Sequence, residues 1–279
     1  MADERLTKNQ RREEARLAAQ RLKEEQARTA RRQRNMWIGA GAALLVVVVV
    51  VASMIIAAGN QPAMADVELS PEGSTMSGGI PVGPEGIAGV TDGADDDAVT
   101  VAIYSDFICP YCQMFDQLNA ATLAELREAG EIIVEYHPVS ILDRASAGSR
   151  YSTRAATATV LTAAEAPESF VAFTDALFAA QPQEGTVGLS DAEIADIARD
   201  AGVPEEVAAK IASGEYLGDS EDDPATYQPW VKAATDQGSK DLGGLGTPTI
   251  LLNGVKLDTQ KYDWTQEGVL AQAIQDARG

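Results

Sequence analysis

Residues 98–112 read Ala-Val-Thr-Val-Ala-Ile-Tyr-Ser-Asp-Phe-Ile-Cys-Pro-Tyr-Cys. The first seven are apolar or β-branched and follow three aspartates, Asp95 to Asp97, which predicts a buried strand over Ala98–Tyr104. After Cys109 the pattern turns helical. Pro110 suits a first helical position, where its missing N–H costs nothing, and Met114, Phe115, Leu118 and Leu123 recur at roughly helical spacing. Cys109 is therefore expected at a helix N-terminus, where free N–H groups and the helix dipole favour an anion and lower a thiol pKa. Cys112 lies one turn further in and faces it.

These are the two cysteines of the 279-residue chain. A three-residue separation closes so short a loop that a structural staple removes little unfolded-state entropy. A zinc site lacks ligands, because the only histidine is His137. A reversible dithiol–disulfide couple is the reading that remains. Asp106, three residues before Cys109, either takes the proton of Cys112 as a buried acid of raised pKa or caps the loop. Phe107 is expected beneath that loop, and Tyr111, between the cysteines, at most tunes the couple. His137 ends a second strand predicted at Glu131–Tyr136; a structural role outweighs a proton shuttle there.

The strand, the Asp106–Cys112 motif and the helix resemble the active site of DsbA-like thiol-disulfide oxidoreductases of the thioredoxin superfamily. Gly246-Thr247-Pro248-Thr249-Ile250, followed by Leu251-Leu252-Asn253-Gly254-Val255, resembles that family's cis-proline loop and hairpin. The resemblance covers roughly residues 98–279. It implies an α/β thioredoxin-like fold with an inserted helical subdomain, and it sets Thr247 and Pro248 beside Cys109 as a substrate-binding edge. It also implies Cys109 and Cys112 as catalytic residues, supported by Pro110, Tyr111 and Asp106. The redox-active disulfide Cys109–Cys112 then serves in place of any cofactor or metal.

The rest of the chain supplies a location. Residues 1–35 carry eleven Lys and Arg against six Asp and Glu, with Glu4/Lys8 and Glu24/Arg28 spaced for an exposed helix. Trp37 to Ala58 is an uncharged run of 22 residues, so 36–58 is expected as one transmembrane helix. Arg28, Arg31, Arg32 and Arg34 precede it and orient a single-pass signal-anchor with its N-terminus in the cytoplasm and the catalytic domain outside. Ala63-Met64-Ala65 has the form of a signal peptidase site, but the length of the apolar and charged segments favours a retained anchor.

Residues 59–97, rich in Gly, Pro, Ser and Asp, are expected to form a flexible extracytoplasmic linker, with Gly79–Val82 able to dock as an edge strand. The chain carries net −20, hence −25 beyond Asn35, which excludes nucleic-acid binding by that part. Within 98–279, residues 145–241 read as a helical insertion, with a capping box at Ser190–Glu193. Asn253-Gly254 reads as a two-residue hairpin turn and 265–277 as a closing helix. A thiol pair outside a bacterial membrane points to disulfide donation to reduced secreted proteins. Reoxidation then falls to a membrane oxidase, quinone-linked as the resemblance implies. Reductase or isomerase action at the same site, metal delivery, and a tethered binding or chaperone module are the other readings.

Overall fold

The computed structural model describes residues 8–60 and 62–279, which form two units divided at Gln61. Glu4 of the expected Glu4/Lys8 pair lies outside the described residues. The first unit is one helix, α1 (Lys8–Asn60), and it is long and apolar enough to cross a membrane. At 1.5 Å per residue it is about 80 Å long, so only its uncharged part matches a bilayer core.

The second unit, Pro62–Gly279, is built on a five-stranded sheet of order β1-β3-β2-β4-β5. These strands are β1 (Ile80–Val82), β2 (Val99–Ser105), β3 (Ile132–Pro138), β4 (Thr249–Leu252) and β5 (Val255–Lys256). Strand β2 runs parallel to β3 and antiparallel to β4, and the α2 helix (Pro110–Glu128) makes the β2–β3 crossover. Alternation along β2 divides the core. Val99, Val101 and Ile103 join Phe115 and Leu123 of α2, with Leu270 and Ile274 of the last helix, on one face. Ala102 and Tyr104 pack on the other with Val139 and Leu251.

Five helices lie between β3 and β4: α3 (Tyr151–Glu165), α4 (Phe170–Ala179), α5 (Asp191–Asp200), α6 (Glu205–Ser213) and α7 (Gln228–Asp241). Helix α3 is their axis, buried from Tyr151 through Ala163 except at Arg154. Its alanines let neighbours approach closely, and Thr159 and Thr162 return their hydroxyls to carbonyls one turn back. The capping box forms at the head of α5: Ser190 N–H donates to Glu193 Oε2 at 2.7 Å, and Glu193 N–H to Ser190 Oγ at 3.3 Å. Asn253 (φ 48°) and Gly254 (φ 78°) make the β4–β5 turn, both in the left-handed region such a turn needs. The closing helix α8 (Val269–Arg278) starts four residues later than the sequence pattern suggests.

Within the expected linker, the edge strand suggested at Gly79–Val82 docks as β1, and the rest is the main correction. Residues 62–97 pack onto the domain, so the compact unit begins at Pro62 instead of Ala98. Met64 is buried in the core, and Ala63 N–H donates to Gln237 Oε1 at 2.7 Å. Strand β1 pairs antiparallel with β3, with Ile80 opposite Tyr136, and seals the sheet edge. Thr75 and Ser77 hydroxyls donate to Glu135 on β3 at 2.9 and 3.1 Å. Gly73 (φ 74°) lies so close to Gly89 that a side chain there would meet its backbone. A few buried side chains, strand pairing and close backbone fit hold this segment, and they leave no hydrophobic period to read.

Candidate active site

The end of β2 delivers the loop 105–109 to the N-terminus of α2, where Cys109 is the N-cap and Pro110 the first helical residue. Cys109 O accepts from the N–H groups of Cys112 and Gln113 at 3.0 and 3.2 Å, opening the helix. Both cysteines are free thiols and nearly covered, at 4% exposure for Cys109 and 1% for Cys112. Phe107 is buried beneath the loop and stacks on Phe178 of α4, ring centroids 4.7 Å apart.

The two sulfurs have opposite electrostatics. The Cys112 thiol donates to Cys109 and lowers its pKa to about 6 against the cost of burial. The Thr247 hydroxyl and the N–H groups of Cys112 and Tyr111 act in the same direction. Thr247 touches Cys109 in two ways, since its carbonyl also accepts from the thiol at 3.3 Å. The carbonyl favours the protonated sulfur and the hydroxyl the ionised one; with the sulfur ionised the hydroxyl dominates, because the carbonyl then has no proton to accept. Burial, then the neighbouring Cys109, push Cys112 far above the ordinary thiol range. Cys109 is thus poised as a thiolate and Cys112 as its donor.

The Thr247–Pro248 peptide is cis, and it brings the start of β4 against Cys109 from the far end of the chain. Tyr111 is 62% exposed, and Met114 and Leu118 on the same face of α2 are 40% and 50% exposed. Helical spacing in the sequence groups these two with Phe115 and Leu123; the structure buries only the latter pair. An exposed apolar stripe therefore runs down the helix away from the thiol.

Asp106 is fully buried, and its carboxylate is spent on the loop. Oδ1 accepts from Ile108 N–H at 3.1 Å and Ser152 Oγ at 2.7 Å, and Oδ2 from Leu142 N–H at 2.9 Å. Burial still raises its pKa, to about 6. His137 is set in β3, where Nε2 pairs with Glu135 at 3.0 Å and the ring stacks on Tyr104 with centroids 3.9 Å apart. Sequence reading missed Gln181, whose side chain donates to Cys109 O at 3.1 Å from beyond α4, and the half-buried Asp116 and Asp175 behind Cys112. No local pattern announces these contacts, because each spans from α2 to the helical insertion.

Residues 87–270 match the thioredoxin family model. The chain belongs to the thioredoxin family, in its DsbA-like branch. Among solved structures it is similar to the disulfide oxidoreductase DsbG of Mycobacterium tuberculosis, at 28% identity and TM-score 0.55 over 72% of this chain and 88% of that one. Oxidised DsbA from the same organism aligns at 27% identity and TM-score 0.54, covering 72% and 93%. The thiol-disulfide oxidoreductase MdbA of Corynebacterium diphtheriae, at 22% identity and TM-score 0.56 over 78% and 99%, shares the fold. A curated relative, the serine/threonine-protein kinase PknE of M. tuberculosis, is 30% identical over 183 residues, 63% of this chain. The chain spans only 30% of that relative's length. The enzyme class that accompanies this fold and thiol pair is protein thiol-disulfide oxidoreductase.

Proposed function

We propose that the protein donates disulfides to reduced secreted proteins from the outer side of a cell membrane, through Cys109 and Cys112. The supporting observation is the stabilised Cys109 thiolate: what stabilises the reduced site makes its disulfide the better oxidant. A substrate thiolate attacks Cys109 Sγ, the bond between the cysteines breaks, and its electron pair leaves on Cys112, which takes up a proton. A second substrate thiolate attacks the substrate sulfur of the mixed disulfide and releases Cys109 as a thiolate. The substrate is oxidised by two electrons and the site reduced by two. A membrane oxidase, quinone-linked, then takes them.

Thr247 and Pro248 offer backbone to an extended substrate, and the apolar stripe Tyr111–Met114–Leu118 suits unfolded chains without demanding a sequence. The arginines before the apolar run of α1 orient the domain outward, with the anchor retained as a single pass. The test is the redox equilibrium of residues 62–279 against glutathione, read by thiol trapping. A site far more oxidising than the thioredoxin range of roughly −270 mV supports donation. A value in that range would overturn it and favour a reductase.

A further inference from the structure

We propose that Asp116 and Asp175 form a shared proton store that supplies and recovers the proton of Cys112 during disulfide exchange. The proposal rests on the oxidoreductase reading above and assigns that site its acid.

Cys112 and Asp116 are four residues apart on α2, so they line one face of the helix. Both border a cavity of about 40 Å³ closed by Ile103, Ser105, Phe115, Tyr136 and Phe178. Asp175 lines the same cavity from α4, so two carboxyls share one small space with Cys112, an arrangement that favours a proton on one of them. The volume exceeds the roughly 15 Å³ a water needs, and the wall offers that water the acids and the sulfur as partners. Asp106 is poorly placed for the task, since its oxygens are bound to Ile108, Leu142 and Ser152.

The charged and titratable groups around the pair are few. Arg127 closes the cavity from α2, and its guanidinium is fixed by the carbonyls of Gly83 and Pro84 at 2.8 and 3.0 Å. Glu128 reaches Arg127 from outside at 3.5 Å. Tyr136 faces in from β3 with its pKa raised by burial and by Asp175, so it stays neutral. Burial pushes Asp116 to about 7, aided by Asp175, and raises Asp175 to about 6 against the pull of Arg127. The two titrate as one pair, across the range where exchange must run.

When substrate thiolate attacks Cys109, the electron pair of the broken S–S bond arrives on Cys112, whose surroundings oppose a charge. The proton held between Asp116 and Asp175 crosses to Cys112 Sγ, directly or through one water. The pair, now fully ionised and next to Arg127, regains a proton from solvent. In the reverse direction the ionised pair takes the Cys112 proton as that sulfur attacks.

The test is the rate at which dithiothreitol reduces the oxidised full-length protein in detergent, corrected for reductant thiolate and followed from pH 5 to 9. Wild type should slow as the pair ionises. Asp116→Asn and Asp175→Asn should each lose that inflection and run at least about tenfold slower near pH 6. Asp116→Glu should restore it, which a packing role would not require. Profiles of both Asn variants superimposable on wild type would overturn the proposal and leave the oxidoreductase reading standing, since all three proteins would still exchange. No exchange by wild type would overturn both. For a variant that circular dichroism shows unfolded, the wild-type solvent isotope effect on the same rate decides: a ratio clearly above unity is expected, and a ratio of unity overturns.

Discussion

At Cys109, a helix N-terminus and three kinds of hydrogen-bond donor act on one sulfur, and their order of strength can be measured. The Cys112 thiol contributes most to the lowered pKa, with Thr247 behind it. A hydrogen bond to a charged group is worth about 1.5–3 kcal/mol, or roughly one to two pKa units. Thiolate absorbance should therefore titrate near pH 6 in the reduced protein. Cys112→Ala should raise that midpoint by about one to two units, and Thr247→Val should raise it by less. Equal midpoints in all three proteins would show that the helix terminus alone sets the thiol. Asp106 predicts differently. Its removal in Asp106→Ala orphans the Ile108 and Leu142 N–H groups and the Ser152 hydroxyl. Urea denaturation should register a loss of about 1–3 kcal/mol per buried group left unpaired, with the Cys109 midpoint little changed.

Elements were legible where a local rule decides them. Cys-Pro-Tyr-Cys after a β-branched run told of a strand feeding a helix N-terminus. Ser190–Glu193 and Asn253-Gly254 told of a cap and a turn whose chemistry lies within a few residues. Beyond the edge strand at Gly79–Val82, residues 62–97 read as a tether because nothing in them alternates; their hold comes from Met64, β1 and close glycine contacts with residues distant in sequence. The proton pair leaves no local sign for a related reason: Asp116 on α2 and Asp175 on α4 come to one cavity only when α4 is folded onto α2. The same fold predicts where the domain can be cut. A fragment starting at Asp97 loses Met64, Ile80 and Val82, each nearly or fully buried, and bares the edge of β3. At about 1.5–3 kcal/mol per buried apolar side chain, it should be several kcal/mol less stable than one starting at Pro62. It should also aggregate more readily through the opened edge. Equal urea midpoints for the two fragments would restore the tether reading.

For the whole domain, the shifted groups give stability a pH dependence of two opposite signs. Asp106, Asp116 and Asp175 have pKa values raised by burial, so the stability they carry is full below the ordinary carboxylate range near pH 4 and is lost as pH rises through about 6 to 7. Cys109 is depressed from 9.0 to about 6 and exists as a thiol only in the reduced form. Its contribution is full above pH 9, shrinks as pH falls, and is gone below about 6. The gap in stability between dithiol and disulfide forms should therefore open from pH 6 to 9, by at most about 4 kcal/mol for a three-unit shift. A disulfide across so short a loop adds little opposing entropy. Urea denaturation of both forms at pH 5, 7 and 9 measures this. A gap that widens with pH, with the dithiol form the more stable, is what a disulfide donor requires, because folding energy then drives the site toward reduction each time it releases its disulfide. A gap independent of pH would mean that the thiolate at Cys109 is not what powers the exchange.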